Sequence, residues 1–354
     1  MFGRRVRELR EAKGLSQAEL AARAGVSRQL VGAVENGRHL PRVDAGLALA
    51  AALDASVEAL SAPRRPTVEG VLGALPADGT PVRAGRVGDR LVCAPTRAAF
   101  EGWEVADGVL ADGSLALHDD ARPGVVAVGC DPALGLAAQL VAARSAESVL
   151  AVAASTREAV TALAGGRAHI GLVHGPQDRL PSCDGEVTRL HLSQWRVGLA
   201  APAEAGRRRI DEALAGRSRV VQRRAGAGSQ AAFERALRAE GATVPDGPVV
   251  DGHVEAAWLA ARIGLAAVTI EPAAIAAGLA FHPLETHTAE LWIDRAWVDE
   301  PGVRRLGEAL TSPELARRLT AVGGYDLTAT GTAATPTGPV DPAGRREATQ
   351  GALP

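Results

Sequence analysis

The sequence has little of what would place it in several common protein classes. It has three cysteines, Cys93, Cys130 and Cys183, which lie far apart and never form a C-x-x-C pair. This odd number and wide spacing fit neither a disulfide framework nor a zinc site, so we expect all three to be small core or loop residues. Lys13 is the only lysine, and 38 of the 39 basic residues are arginine. Together with the many Ala, Gly and Val residues this is typical of GC-rich coding bias, so arginine content says little about function.

There is also no excess of charge of either sign. The 39 basic and 41 acidic residues give a formal net charge of −2. The chain therefore provides no overall field for nucleic acid or an anionic membrane, and any such binding must be local. The start MFGRRVRELREAKG lacks the apolar core of a secretory signal, and charge, Gly or Pro interrupts every Ala-rich stretch before it could span a bilayer. We expect a cytoplasmic protein with no membrane partner.

Signatures of catalysis are absent from the sequence as well. It contains no G-x-S-x-G, G-x-x-x-x-G-K-[ST] or H-E-x-x-H motif and no paired-carboxylate pattern. Cys130 and His174 could be a thiol pair, but nothing in the sequence brings them together and no orienting group is evident. The sequence therefore predicts that the protein is not an enzyme and has no catalytic residues, no metal ligands and no cofactor.

The pattern along the chain predicts four regions. With 354 residues, 47% of them hydrophobic, the chain is globular and too long for one ordinary domain. Closely spaced short helices predict an all-α domain over residues 1–62. Pro63 and Pro66 then interrupt the chain, which predicts a linker and a small β-rich connector over 63–122. Apolar runs that alternate with helical stretches predict an α/β domain over 123–325, built as two small lobes rather than one sheet. The Thr, Gly, Pro and Ala of 326–354 predict a disordered tail.

Two short helices joined by a glycine turn are predicted near the amino terminus. Ser16 and Glu19 form a capping box that begins the first helix, and Gly25 allows a sharp turn. Ser27 caps a second helix whose apolar residues recur at helical spacing. This is the helix-turn-helix arrangement, whose second helix fits the major groove of DNA.

The string VRELREAKGLSQAELAARAGVSRQLVGAVENGRHLP resembles the phage-repressor-like (XRE) family of helix-turn-helix regulators. The resemblance implies that Gln17 and Asn36 contact phosphates and that Arg10 and Glu35 pair between the first and third helices. Arg28 can donate to guanine and Gln29 can bridge adenine, and both lie at the helix start. Residues 1–62 carry nine basic and seven acidic residues, a formal charge of +2, which leaves −4 for the remainder. The predicted DNA-binding residues are Gln17, Ser27, Arg28, Gln29, Asn36 and Arg38.

The α/β region contains turns suited to holding an anion. Strands that end before Asp131, Ser155 and the run Arg223–Gln230 lead into helix starts, where amides and hydroxyls favour negative charge. The strings VGCDPALGLAAQL, GGRAHIGLVHG, RSRVVQRRAGAGSQAAFERAL and DGHVEAAWLAARIGLAAVTIEPAAIAAGLAFHPL resemble the periplasmic-binding-protein-like domain that is related to molybdate-binding proteins and found fused to helix-turn-helix regulators. This resemblance spans about residues 123 to 292. The ligand-binding residues that it implies are Asp131, Ser155, Thr156, His174, Gly228, Ser229, Gln230 and His253.

The sequence as a whole predicts a ligand-responsive DNA-binding transcription regulator. Its expected partners are double-stranded DNA, as a homodimer on two half-sites, and a small ligand, with molybdate or a similar oxyanion as the first candidate. A sensor of a small organic metabolite is one alternative. The other is a constitutive DNA-bound repressor whose α/β region only self-associates.

Overall fold

The chain folds as two units, Met1–Pro66 and Thr67–Pro354. The structure is a computed structural model that describes residues 2–61, 66–99, 102–176, 180–183 and 185–334. Residues 63–65 of the predicted linker lie outside the described residues. The first unit consists of five helices, α1 Phe2–Ala12, α2 Gln17–Ala24, α3 Arg28–Glu35, α4 Val43–Ala52 and α5 Val57–Ser61.

The core of the first unit is small and closely packed. Val6, Leu20, Val31 and Leu49 are buried at its centre. Helices α1 and α3 approach so closely that a Cβ added at Gly3 would lie 1.8 Å from the carbonyl oxygen of Val34. The all-α prediction for this region is confirmed. Helices α2 and α3 end at the glycine turns that were predicted from the sequence.

The second unit begins with a five-stranded sheet in the order β1-β3-β2-β6-β7. The amide of Arg86 donates to the carbonyl of Gly124 at 2.9 Å. Val87 and Val92 share a hydrophobic cluster with Val126 of the α/β region. The β-rich segment therefore packs directly on the α/β region within one unit. Its strands are β1 Thr67–Gly70, β2 Pro81–Val87, β3 Arg90–Pro95, β6 Gly108–Ala111 and β7 Ser114–Leu117, with β4 Ala98–Ala99 and β5 Gly102–Trp103 forming a separate two-stranded pair.

An eight-stranded sheet in the order β13-β12-β14-β11-β15-β10-β8-β9 forms the centre of the second unit. Its strands are β8 Val125–Val128, β9 Val149–Val152, β10 Ile170–Gly175, β11 Val187–Pro202, β12 Val220–Arg223, β13 Val249–Val250, β14 Ala266–Ile270 and β15 Leu279–Asp294. The helices are α6 Ala133–Arg144, α7 Thr156–Ala164, α8 Gly206–Leu214, α9 Gly228–Ala239, α10 His253–Ile263, α11 Glu271–Ala276, α12 Pro301–Leu310 and α13 Pro313–Val322. In the part of the chain that the structure describes, no helix is both long and apolar enough to cross a bilayer.

The predicted α/β fold is confirmed, but its two groups of strands do not form separate sheets, because two long strands join them. Strands β11 and β15 pair antiparallel along their whole length, from Val187 opposite Asp294 to Pro202 opposite Leu279. They join a group of parallel strands on each side, β8 to β10 on one and β12 to β14 on the other. The register shifts between His191 and Ser193 and between Val197 and Gly198. These irregularities break the alternation that would have identified a 16-residue strand in the sequence.

The disordered tail was predicted to begin at residue 326, but residues 326–334 form hydrogen bonds with β11. Gln194 and Asp326 exchange two backbone hydrogen bonds, each of 2.8 Å, and the amide of Ala334 donates to the carbonyl of Arg189 at 3.0 Å. Residues 326–334 therefore pair with the edge of β11, and this pairing satisfies their backbone groups despite a composition typical of disorder. The rest of the predicted tail, 335–354, lies outside the described residues.

Candidate functional sites

Helices α2 and α3 have the caps that the sequence predicts. Ser16 Oγ accepts from the amide of Glu19 at 3.2 Å, and Glu19 Oε2 accepts from the amide of Ser16 at 2.7 Å. Ser27 Oγ accepts from the amide of Leu30 at 3.1 Å. Gly25 ends α2 with φ at 63°, a left-handed conformation that glycine adopts without strain. The sequence therefore folds locally into two helices joined by a tight turn.

The residues predicted to bind DNA fall into two groups. Ser27, Arg28 and Gln29 are exposed around the first turn of α3, and Arg38 is exposed in the loop that follows it. Gln17 and Asn36 instead make contacts inside the unit. Gln17 Nε2 donates to Glu35 Oε2 at 2.9 Å, and Arg7 Nη2 donates to Asn36 Oδ1 at 2.7 Å. Both side chains therefore help to place α3, and their phosphate contacts stay a prediction.

A buried ion pair holds α1 against α3, as the resemblance implied. Arg10 Nε lies 2.6 Å from Glu35 Oε1, and Arg10 Nη2 lies 3.1 Å from Glu35 Oε2. Burial opposes ionisation of Glu35, but hydrogen bonds from Arg10 and Gln17 and the charges of Arg10 and Arg7 outweigh it and lower the pKa of the carboxyl. The pair is ionised at neutral pH and links α1 to α3 inside the unit.

In the second unit, a set of polar side chains is buried where the strands of both groups end. They come from the ends of β8 and β12, the starts of α9 and α10, and strands β10, β11 and β15. All of them are less than one-tenth exposed, and aromatic ring contacts link the histidines with the indole among them. The set consists of Cys130, Asp131, His174, Trp195, Arg223, Ser229, His253 and His287. We call it the buried polar pocket.

A chain of hydrogen bonds crosses the buried polar pocket from Glu285 to Cys130. Glu285 Oε2 lies 3.2 Å from His287 Nε2, His287 Nδ1 lies 3.0 Å from His174 Nδ1, and His174 Nε2 lies 2.9 Å from Cys130 Sγ. The Arg235 guanidinium beside Glu285 lowers the pKa of that carboxyl, so it is ionised and only accepts. Burial lowers the pKa of His174 and of His287, so both rings are neutral.

These protonation states fix the donor and the acceptor in each hydrogen bond between Glu285 and Cys130. Because Glu285 accepts from His287 Nε2, the other nitrogen of His287 accepts from His174 Nδ1. His174 Nε2 then bears a lone pair, which accepts from the thiol of Cys130. Burial raises the pKa of that thiol to about 12, so Cys130 holds its proton. The lone pair of His174 Nε2 and the sulfur of Cys130 thus face each other inside the protein.

A second contact fixes the proton of His253. Arg223 Nη1 lies 2.6 Å from His253 Nδ1. Guanidinium nitrogens only donate, so His253 Nδ1 accepts and the proton of this neutral ring lies on Nε2. Among the described residues, His253 Nε2, Arg223 Nε and Ser229 Oγ are buried without a hydrogen-bond partner. The first two are pure donors, and the third can donate.

Gly228 leaves room beside the histidines. A Cβ added at this position would lie 3.1 Å from His174 Cε1 and 3.5 Å from His287 Cε1. The pocket borders a cleft of about 330 Å³ at this point. The cleft is lined by His174, Gly228, Thr156 and Arg235. A side chain at position 228 would crowd the rings where this cleft reaches the pocket.

Asp131 makes three hydrogen bonds within the protein, and the ligand contact implied by the resemblance stays a prediction. Its Oδ1 accepts from the amide of Ala133 at 2.9 Å and from the hydroxyl of Tyr325 at 3.0 Å, and its Oδ2 accepts from Trp195 Nε1 at 3.0 Å. Burial raises the pKa of this carboxyl, although these three donors favour the ionised form. Asp131 therefore binds the first amide of α6 and anchors two neighbouring segments.

Three further predicted ligand residues position the pocket from outside it. Thr156 Oγ1 donates to the carbonyl of His174 at 2.9 Å and accepts from its amide at 3.0 Å. Ser155 is half-buried and caps α7 through Glu158. Gln230 Oε1 accepts from the amide of Arg223 at 3.1 Å. Ser155 also lines a second cleft of about 440 Å³, which Arg223 lines as well.

Sequence reasoning missed Cys130, Trp195, Arg223 and His287 as parts of this site. The expectation that nothing brings Cys130 and His174 together is wrong. Strands β8 and β10 are neighbouring and parallel, so residues at their carboxyl ends meet at the same edge. The parallel alternation of strands and helices already contained that signal. His287 was harder to find, since the strand that carries it was not predicted.

Comparisons with known proteins agree with the two-part organisation. Residues 1–62 match a family model described as a helix-turn-helix domain, and residues 137–311 match one described as a PBP superfamily domain. No curated protein matches the chain significantly. Both resemblances inferred from the sequence are confirmed at this level, and the relation to molybdate-binding proteins stays a prediction.

Several solved structures are similar to parts of the chain. The restriction-modification controller protein C.AhdI from Aeromonas hydrophila is 49% identical over 17% of this chain and 89% of its own, with a TM-score of 0.16. SinR, a master regulator for biofilm formation solved in complex with DNA, is 34% identical over 17% of this chain and 98% of its own, with a TM-score of 0.17. A putative phosphate ABC transporter substrate-binding protein with bound phosphate from Clostridium perfringens is 12% identical over 58% of this chain and 99% of its own, with a TM-score of 0.43.

Proposed function

We propose that this chain, in which a helix-turn-helix domain of the XRE type precedes a PBP-like domain, is a ligand-responsive transcription regulator. In this proposal the first unit binds operator DNA in the cytoplasm, and the buried polar pocket of the second unit takes a small anion that changes the affinity for DNA. The protein is a sensor and not an enzyme.

The exposed first turn of α3 supports the DNA-binding part of the proposal. Arg28 and Gln29 project from the helix start, where a side chain reaches base edges when the helix lies in the major groove. Arg38 adds an exposed positive charge after the helix, suited to a phosphate. Gly32 and Ala33 are short, so direct base contacts are few and DNA shape contributes to specificity.

Hydrogen-bond donors without a partner in the buried polar pocket support the proposal that the second unit binds a ligand. Leaving a buried polar group without a partner costs about 1–3 kcal/mol. His253 Nε2, Arg223 Nε and Ser229 Oγ lie in this situation, given the residues that the structure describes. Two of these atoms can only donate, and Arg223 supplies a positive charge. A ligand that presents several acceptors and a negative charge satisfies all three, whereas an amine would add further donors.

A small tetrahedral oxyanion fits these requirements, and molybdate or tungstate is the first candidate. Such an ion presents an acceptor on every side and can be held by hydroxyls and amides at helix starts. The carboxylate oxygens of Asp131 already accept from three donors, which lessens the repulsion that a free carboxylate would exert on the ion.

Calorimetric titration of the full chain with molybdate, tungstate, sulfate and phosphate tests the ligand. The DNA affinity of the same protein is then measured with and without the ion that binds. Coupling between the sites must be reciprocal, so an ion that changes DNA affinity must bind with a correspondingly different affinity when DNA is present. Heat from none of the four ions would favour a small organic ligand. An ion that binds without changing DNA affinity would contradict the regulator.

The assembly proposed for DNA binding is a homodimer. One recognition helix covers few bases, so two copies on half-sites about 34 Å apart are expected. Leu40, Val43 and Leu47 are 80%, 81% and 57% exposed, and the last two lie one turn apart on α4. This apolar strip on the DNA-binding unit is suited to the same strip of a second copy.

Exposed apolar residues on the second unit favour the alternative function, which is a constitutive DNA-bound repressor. Val254 and Trp258 lie one turn apart on α10 and are 40% and 44% exposed. In that case the second unit only self-associates and DNA binding is constitutive. A rise in the thermal midpoint of the second unit with any of the tested ions would contradict this alternative, because a ligand that binds only the native state stabilises it.

A further inference from the structure

The buried polar pocket also groups three side chains that bind transition metals. Cys130, His174 and His253 each offer one ligand atom, and these atoms all lie within 4.8 Å of one another. All three side chains are more than nine-tenths buried. Thiolate and imidazole are the ligands that thiophilic metals such as Cu(I) and Zn(II) prefer.

The hydrogen-bond chain prepares His174 as a ligand. Its Nδ1 donates to His287, which donates in turn to Glu285, so the lone pair of Nε2 points at the sulfur of Cys130. Histidines that bind metals commonly donate their second ring nitrogen to a carboxylate or another acceptor, which fixes the tautomer and the ring orientation. In this pocket His287 accepts that second hydrogen bond, and His174 Nε2 faces the thiol of Cys130, which would bind the same metal ion.

We propose that Cys130 and His174, with His253 as third ligand, bind one thiophilic metal ion, and that this ion is monovalent Cu(I). This goes beyond the anion of the proposed function, since it adds a second effector with a different chemistry. Binding involves no change of oxidation state. The Cys130 S–H bond breaks, a sulfur–copper bond forms, and the thiol proton leaves to solvent.

Charge balance selects a monovalent ion. Exchanging the thiol proton for Cu(I) leaves the net charge of the buried polar pocket unchanged. A divalent ion would add one positive charge to the pocket, where all three ligand side chains are buried. An added buried charge without a partner is costly in a low-dielectric interior. Zn(II) is therefore expected to bind more weakly at this site than at an ordinary cysteine–histidine site.

Arg223 also controls the third ligand. While its Nη1 donates to His253 Nδ1, the ring proton lies on Nε2 and that atom cannot coordinate. Coordination through Nε2 requires the proton to move to Nδ1, so the guanidinium must leave. Arg223 Nε is one of the donors proposed for the anion. Copper and the oxyanion therefore compete, because each requires a different position of the same guanidinium.

The test is Cu(I) binding to the full chain under anaerobic conditions, measured by competition with the chromogenic chelator bicinchoninate. We expect one Cu(I) per chain in the parent and in Cys183→Ser, the control that removes a thiol outside the pocket. Cys130→Ser, which keeps the shape of the side chain, should lower the affinity at least tenfold, and so should His174→Gln. His253→Gln should lower it less. Arg223→Met should raise it, because the charge and the competing donor are gone.

Circular dichroism and the thermal midpoint of each variant establish that it is folded. Cys130→Ser is the decisive variant, since His174→Gln can disturb the network. Unchanged affinity in folded Cys130→Ser, or no binding of Cu(I) by the parent, would overturn the proposal. Tighter binding of Zn(II) than of Cu(I), measured with a zinc chelator, would overturn the assignment of a monovalent ion.

The two proposals for the pocket fail separately. Titrations of the parent chain with molybdate alone and with Cu(I) alone distinguish them. Heat from molybdate without copper binding would remove the metal site and leave the anion site. Copper binding without heat from any oxyanion would do the reverse. If both bind, saturating molybdate should lower the affinity for Cu(I), and independent binding would contradict competition for Arg223.

Discussion

The hydroxyl of Tyr325 donates to Asp131 Oδ1 at 3.0 Å across 194 positions of sequence. This bond ties the segment after α13 to the end of β8, directly beside Cys130. Trp195 Nε1 donates to the other oxygen of the same carboxylate at 3.0 Å. One carboxylate thus joins the carboxyl-terminal segment, strand β11 and the start of α6, and these elements form one side of the buried polar pocket.

Tyr325→Phe should destabilise the second unit by about 1–2 kcal/mol, because a buried carboxylate loses one donor. All five tryptophans and the only tyrosine lie in the second unit. Tryptophan fluorescence during urea unfolding therefore reports on this unit alone. Thr328→Ala, an exposed position on the same segment, is the control and should change little. Equal losses for the two variants would show that the bond to Asp131 contributes nothing specific.

Glu35→Gln should make the first unit less stable at neutral pH but less sensitive to acid. The pKa of Glu35 is lowered from its ordinary 4.5 in the folded state, since its ion pair and hydrogen bonds outweigh burial. A lowered pKa adds stability above the unfolded value, and this stability is lost as the pH falls through the folded value. Breaking the buried pair from one side costs about 3 kcal/mol.

Hydrogen exchange measures this effect, because the first unit contains no tryptophan or tyrosine. Peptides from α1 and α3 should exchange faster in Glu35→Gln than in the parent at pH 7, and the difference should shrink as the pH falls below 4.5. Asp44→Asn, at an exposed position, is the control. A difference between Glu35→Gln and the parent that is constant with pH would contradict the role of the ion pair.

How much the sequence could predict depended on how local the signals were. The caps at Ser16, Ser27 and Ser155 involve residues three apart, so their patterns predicted the helix starts correctly. Strand β15 was missed because its first half, Leu279–Glu285, is partly exposed and contains Pro283. Without β15 there was no position for His287. The pocket depends on which strands are neighbours, and a hydrophobic pattern does not contain this information.

For the side chain of Asp131, too, local sequence patterns predicted only the contact that is close in sequence. The strand-to-helix turn predicted a helix start after Asp131, and the carboxylate accepts from the amide of Ala133, the first residue of α6, although Pro132 is the N-cap. The donors Trp195 and Tyr325 come from segments 64 and 194 residues away. Tyr325 lies at the border of a stretch whose composition predicted disorder, so its contact was outside what local patterns could predict.

Arg28→Ala should weaken binding to the preferred operator by about 1–3 kcal/mol and relax base specificity. Arg28 is exposed at the start of α3, where a guanidinium can bind a guanine edge. Arg38→Ala is the matched variant, since it removes an exposed arginine predicted to contact only phosphate. It should weaken operator and random DNA alike and lower the salt dependence. Anisotropy titrations on both DNAs give the comparison, and equal losses for Arg28→Ala would show that it does not contact bases.

Val43→Glu combined with Leu47→Glu should weaken the homodimer, because each added carboxylate would be buried against its copy in the second chain. Light scattering on the operator complex measures the number of chains. We expect two for the parent and a shift towards one for the double variant. Val244→Glu, at an exposed position of the second unit that is 48% accessible, should leave two. A parent chain that binds its operator as a monomer would contradict the dimer altogether.

Ser229→Ala should lower oxyanion affinity by about 1–3 kcal/mol, the cost of leaving a charged acceptor without one buried donor. Ser229 lies in the first turn of α9 next to Gly228, and among the described residues its hydroxyl has no partner. Ser193→Ala is the matched control, because Ser193 is also buried with an unpartnered hydroxyl but lies on β11 opposite Ala289. Calorimetry of both variants with the ion that binds the parent gives the result. Loss only in Ser229→Ala places the anion at the start of α9, and equal affinities in both variants would place it elsewhere.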